Sequence, residues 1–137
     1  MERISINDYY LDIAKSVSVR SSCLRRKYGA VIVNNDEIIS TGYNGSPRGT
    51  ANCNDLGYCG REGYDHGSGY EVCRSVHAEQ NAIIAASRRE MLGATLYLAC
   101  IKDDIEMVDI EPCDICMRMI KNAGIKTIVT RRKTICL

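Results

Sequence analysis

The 137-residue sequence has no phenylalanine and no tryptophan, and only two prolines and two histidines. A core without those rings has to be assembled from Ile, Val, Leu, Ala, Met and Tyr. Charge of either sign is also scarce in excess, because 18 basic against 17 acidic residues leave a net charge of +1. The longest basic runs, Arg25-Arg26-Lys27 and Arg131-Arg132-Lys133, are too short for a nucleic-acid footprint and read as solvated faces, so no nucleic-acid partner is expected. No apolar run approaches a membrane span, and Met1-Glu2-Arg3-Ile4-Ser5 has no apolar signal core. The expectation is a cytoplasmic protein without a membrane partner, folded as one domain over 1–137.

Cysteine is the residue in surplus. Eight cysteines in a reducing compartment point to metal ligands or core thiols rather than to disulfides. Two of them lie in Pro112-Cys113-Asp114-Ile115-Cys116, downstream of Val76-His77-Ala78-Glu79. His77, Cys113 and Cys116 are a donor set suited to a tetrahedral zinc whose fourth position is left open, with Glu79 as a spare carboxylate. Residues i and i+2 sit about 200° apart inside a helix, so His77 and Glu79 can share a site only at a helix N-terminus. The helix-like run from His77 to Arg89 supplies one. Pro112 at the first position, Cys113 to Ala123 and Gly124 as the stop supply a second helix, with Cys113 and Cys116 on one face. Two positive helix ends then favour thiolates. A redox Cys-x-x-Cys pair leaves His77 without a role. A closed structural zinc needs a fourth protein ligand and leaves Glu79 without one.

The remaining elements follow from periodicity. Ser5-Ile6-Asn7-Asp8 resembles a capping box, and Ile6, Tyr9, Tyr10, Ile13 and Val17 continue at helical spacing to about Val19. The β-branched runs Ala30–Val33 and Ile38–Thr41 flank Asn34-Asn35-Asp36-Glu37 and predict a hairpin. From Gly42 to Arg74 the chain turns glycine-rich, as a long functional loop would, and carries Cys53, Cys59, His66 and Cys73. Ala94–Cys100 and Ile125–Thr130 read as further strands, with Thr134–Leu137 as a short fifth. Alternating helix and strand after residue 76 implies parallel pairing beside the antiparallel hairpin. The fold class is α/β, a mixed sheet of four to five strands in three α/β/α layers.

These residues carry a family resemblance. The histidine, the acid two residues later and the Pro-Cys-x-x-Cys match the signature of zinc nucleobase deaminases. Together with Arg26-Lys27-Tyr28-Gly29-Ala30-Val31-Ile32-Val33 and Gly42-Tyr43-Asn44-Gly45-Ser46-Pro47-Arg48-Gly49, the sequence resembles the cytidine/deoxycytidylate deaminase superfamily from about Ser21 to Val129. It is most similar to the dCMP deaminases, including their competence-associated bacterial branch.

The resemblance implies a cytidine-deaminase-like fold and zinc-dependent hydrolysis of dCMP to dUMP and ammonia. By it, His77, Cys113 and Cys116 are the zinc ligands and Glu79 moves the protons, Asn44 contacts the sugar and the backbone of Ala78 the base. Arg26 and Arg48, with Ser46, are candidate donors to a 5′-phosphate. A second, structural zinc is implied by Cys23 and Cys53, with Cys73, Cys59 and His66 as further ligands. Homo-oligomerisation is implied as well. The segment Ile101 to Glu111 intervenes where many relatives run from strand directly into Pro-Cys-x-x-Cys, which places an insertion beside the site. Deamination of another base (tRNA adenosine, guanine or free cytidine) is the alternative activity. A non-catalytic, zinc-stabilised DNA-uptake accessory protein is the alternative role.

Overall fold

A computed structural model describes residues 2–63, 69 and 73–137. Helix α1 (Ile6–Ser18) begins where the sequence says, because the Ser5 hydroxyl accepts the Asp8 N–H at 3.1 Å. Strands β1 (Lys27–Asn34) and β2 (Glu37–Tyr43) form the expected hairpin, extended at both outer ends. Its turn is two residues long, with Asn35 and Asp36 both at positive φ, the geometry that matches strand twist. A short helix, α2 (Cys53–Leu56), interrupts the glycine-rich stretch and is capped from Asn52.

Helix α3 (Ala78–Ile84) is shorter than the helical run suggests. The Ser87 hydroxyl accepts the Glu90 N–H and the Ser87 N–H donates to the Glu90 carboxylate in return, a capping box that starts a separate helix, α4 (Arg88–Met91). Strand β3 (Thr95–Lys102) then leads to β4 (Ile105–Met107), α5 (Asp114–Asn122), β5 (Thr127–Val129) and β6 (Thr134–Cys136). Pro112 precedes the cap of α5 instead of opening it: Cys113 is the N-cap, and Gly124, at φ 87°, ends the helix.

Among the described residues the sheet has six strands, in the order β2-β1-β3-β5-β6 with β4 beside β3. The added strand comes from the Ile101–Glu111 segment, which folds back through the positive-φ pair Asp103-Asp104. β4 and β5 share one edge of β3: β5 pairs in parallel with Thr95–Tyr97, and β4 antiparallel with Cys100–Lys102. Strand alternation sorts the core into two layers. Val31, Val33, Tyr97, Ala99 and Val129 face α1, while Ala30, Ile32, Leu96, Leu98, Cys100 and Ile128 face α3 and α5. The three-layer α/β/α expectation holds.

Arg131, between β5 and β6, ties the layers at one corner. Its guanidinium reaches Glu106 of β4 at 2.6 Å and, on α1, Asp12 at 2.6 Å and Asp8 at 3.0 Å. No helix among the described residues is long and apolar enough to cross a membrane.

Candidate active site

The position of α3 is fixed by what β2 lacks. A Cβ on Gly42 would lie 2.4 Å from the Ala78 carbonyl and 2.4 Å from the Ala82 nitrogen, so only glycine lets the helix rest on the strand. Two hydrogen bonds hold it there: Ser40 Oγ donates to the Ala82 carbonyl at 2.7 Å, and Asn81 Nδ2 to the Tyr43 carbonyl at 2.8 Å. Just before the helix, Gly45 and Val76 exchange both backbone hydrogen bonds, at 3.1 and 2.7 Å.

His77 is the N-cap of α3, in extended conformation, and Cys113 is the N-cap of α5 in the same conformation. Cys116 follows one turn into α5. His77 Nδ1 lies 3.6 Å from Cys113 Sγ and 3.2 Å from Cys116 Sγ, and the three donor atoms all fall within 4.8 Å of one another. Among the described residues no other trio of such side chains is as close. Zinc–sulfur and zinc–nitrogen bonds of ~2.3 and ~2.05 Å at the tetrahedral angle require an S···N edge of about 3.6 Å. The donor set fits a zinc ion in both chemistry and spacing. Gln80 links the two helices, taking the His77 N–H at 2.8 Å and donating to Met119 Sδ at 3.6 Å.

Electrostatics in the metal-free trio are those of shared protons. Cys116 donates its S–H to Cys113, which, with His77 beside it, holds the Cys113 thiol down at about 3. That same bond, together with burial, pushes Cys116 far up, and the Cys113 thiolate raises His77. Glu79, 5% exposed, sits next to this group. Burial raises its carboxyl, against the opposing pull of its own backbone N–H and of His77.

A cavity of about 430 Å³ opens at His77 and Cys113, while Cys116 is fully buried and outside its lining. Glu79, Ala78, His77 and Cys113 form its floor, and Arg25, Arg26 and Arg61 bring positive charge to its walls. Tyr28 stays a neutral phenol, pushed up to about 12 by burial, and Arg26 donates to its oxygen at 3.3 Å. A smaller, polar cavity of about 220 Å³ adjoins, sharing Arg26, Tyr28 and Glu111 and adding Asp109, Ile110 and Lys133. The inserted segment therefore does reach the site, through its last residues.

The structure places the other candidates unequally. Asn44 lines the cavity but is largely committed: its Oδ1 accepts from Ser21 Oγ and the Tyr28 N–H, and Nδ2 donates to the Arg26 carbonyl. One Nδ2 hydrogen remains for a ligand. Ala78 and Arg26 line the cavity. Arg48 does not, because Thr50 N–H closes a turn onto the Pro47 carbonyl and leaves Arg48 exposed at its tip. The Ser46 hydroxyl is buried without a partner and lies outside the cavity lining.

Cys23, Cys59 and Cys73 line the cavity, and Cys53 is close enough to all three that they help raise its thiol, after burial. His66 lies outside the described residues. Sequence reasoning missed Arg25, Arg61, Tyr28, Ser75 and Glu111. For Ser75 a signal existed: in an extended approach to His77, residue 75 shares its face. For Arg61, brought in from a distant loop, there was none.

The chain is similar to known proteins over most of its length. Residues 4–131 match the model of the cytidine and deoxycytidylate deaminase zinc-binding region. The chain is 38% identical to a deoxycytidylate deaminase of Mycobacterium phage D29, covering 94% of this chain and 96% of that protein. It is also 38% identical to the deoxycytidylate deaminase of Schizosaccharomyces pombe, over 93% of this chain, but spans only 37% of that longer protein. Among solved structures, the dCMP deaminase of cyanophage S-TIM5 in complex with dCMP and dUMP superposes with a TM-score of 0.63 at 27% identity, covering 93% of this chain and 82% of that one.

Proposed function

The chain belongs to the cytidine and deoxycytidylate deaminase family, and on that premise we propose that it hydrolyses dCMP to dUMP and ammonia with zinc held by His77, Cys113 and Cys116. The observation that carries this is the donor trio beside a buried Glu79 at the floor of an arginine-lined cavity. Zinc, when bound, supplies Lewis-acid activation of water. Glu79 would take one proton from the attacking water and pass it to the ring nitrogen, then take the second from the resulting C4 hydroxyl and pass it to the amino group, which leaves as ammonia. Its burial suits both halves of that task, since a carboxyl raised toward neutrality can hold a proton as well as take one.

In this reading Ala78 and Asn44 orient the base and sugar, and Arg26 draws the phosphate, joined by Arg25 and Arg61. Arg48 and Ser46 are the outlying members of the substrate set. A second zinc at Cys23, Cys53, Cys73 and Cys59 is supported by Cys53 lying near the other three thiols, although among the described residues only the His77 trio gathers its donor atoms within 4.8 Å. All eight cysteines are free thiols, which fits the cytosol. A homo-oligomer of single 137-residue domains completes the reading.

Ammonia release by zinc-loaded protein, measured on dCMP, cytidine, deoxycytidine, dCTP and guanine with Glu79→Gln as control, tests it. Turnover of dCMP that vanishes in the variant supports the assignment. Turnover of guanine or cytidine in its place redirects the substrate, and silence on all five with zinc bound favours a different substrate shaped by the Ile101–Glu111 segment, or a non-catalytic role.

A further inference from the structure

Among the described residues, two side-chain polar atoms are buried without any hydrogen-bond partner: Ser46 Oγ and Ser75 Oγ. They are not scattered. Gly45 and Val76 form an antiparallel bridge with both backbone hydrogen bonds made, so the next pair outward is Ser46 opposite Ser75, and the next pair inward is Asn44 opposite His77. Residues flanking a doubly bonded pair lie about 4.5 Å apart at Cα and project to the same face of the ribbon. By that register a zinc ligand, an amide and two orphan hydroxyls fall on one side of the isolated bridge; His77, Asn44 and Ser75 line the cavity, and Ser46 lies just outside its lining. Ser75 and His77, two apart on an extended chain, are separated by about 7 Å.

A buried hydroxyl without a partner is rare and costs about 1–3 kcal/mol. Two in opposed positions, beside a cavity lined by Arg25, Arg26 and Arg61, call for an acceptor rich in lone pairs. A phosphate monoester is such an acceptor, and a nucleotide whose base sits at His77 extends its sugar-phosphate along this ribbon. We propose that Ser75, assisted by Ser46 across the bridge, is a specificity-determining residue that donates its hydroxyl to the substrate phosphate and so distinguishes nucleotide from nucleoside. The inference rests on the nucleotide reading given above. Ser75 lines the cavity, and a serine hydroxyl exchanges readily among its staggered χ1 rotamers.

The test separates this claim from that reading. Turnover of dCMP by the unsubstituted protein reports on the reading. Binding of dCMP and of deoxycytidine to zinc-loaded Glu79→Gln protein, with and without Ser75→Ala, reports on Ser75. Loss of the hydroxyl is expected to weaken dCMP binding about 10- to 100-fold and deoxycytidine binding less than about twofold, as a hydrogen bond to a charged group requires. Because Ser75 Oγ has no protein partner, the ligand-free melting temperature should not fall. Ser46→Ala should give a smaller loss with the same nucleotide selectivity. Equal losses on both ligands, unchanged dCMP binding, or a lowered melting temperature accompanied by equal losses would overturn the proposal. Absence of both dCMP binding and turnover in the parent proteins would remove it along with the reading it rests on.

Discussion

Replacing Gly42 by alanine adds one methyl group and, on these contacts, should dismantle the active site. The new Cβ would stand 2.4 Å from two backbone atoms of α3, against 3.4 Å for ordinary contact, so the helix has to retreat by 3.4 − 2.4 = 1.0 Å. Neither atom belongs to a side chain that can rotate away. Overpacking of this kind costs about 1–3 kcal/mol. Retreat also strains the Ser40–Ala82 and Asn81–Tyr43 hydrogen bonds, worth about 1 kcal/mol each. The chain-entropy gain of Gly→Ala returns roughly 0.5–1 kcal/mol, which leaves a net loss of about 2–4 kcal/mol. The helix that moves carries His77 and Glu79 at its first turn, and a displacement near 1 Å costs about 100-fold in rate. Urea unfolding and dCMP turnover of zinc-loaded protein measure the two effects. Gly45→Ala is the control, since its Cβ would meet only the Ser22 hydroxyl at 3.3 Å. Should Gly42→Ala match that control in stability and keep kcat within threefold, the packing argument for α3 is refuted.

Other outcomes follow from the same geometry. On the proposal that its carboxyl moves protons and is not a ligand, Glu79→Gln should lose at least about 1,000-fold in turnover while keeping a full zinc complement; loss of zinc on substitution would contradict that division of labour. Zinc affinity should rise with pH. In the metal-free protein Cys116 is held protonated and His77 is raised, so both must shed protons to coordinate, whereas Cys113, held down at about 3, is already a thiolate at neutrality. Competition against a chromophoric chelator between pH 6 and 8, with proton release followed by titration calorimetry in two buffers, reads the slope, and a flat profile would contradict the shared-proton picture. Arg131→Ala should destabilise by about 1–3 kcal/mol, most of it through Glu106, which is 17% exposed; Asp8 and Asp12, each 57% exposed, are largely screened. The loss should shrink in high salt.

How much of this the sequence discloses depends on the range of each interaction. The first hairpin is legible from Asn35-Asp36 between β-branched runs, and the zinc trio from Pro-Cys-x-x-Cys with His-x-Glu. The strand Ile105–Met107 is not, since three residues are too few to show a period and its turn, Asp103-Asp104, contains no glycine. The break after Ile84 is recorded in Ser87-x-x-Glu90, a signal overridden by the apolar run before it. Arg61 and the Lys133–Glu111 pair, 3.1 Å apart, arise only when distant segments meet and leave no local trace.

The zinc trio escapes that limit for a structural reason. An N-cap residue is extended while its successor is helical, so the chain changes direction at that residue. His77 and Cys113 both occupy such positions, and each projects beyond the end of its helix toward the other. Starting either helix one residue earlier would put His77 or Cys113 inside the first turn and rotate the residue behind it by about 100°. The ligand spacing and the helix boundaries are therefore one constraint, written twice. That is why local sequence suffices to find the metal, while a cavity wall such as Arg61, brought in from a distant loop, emerges only from the fold.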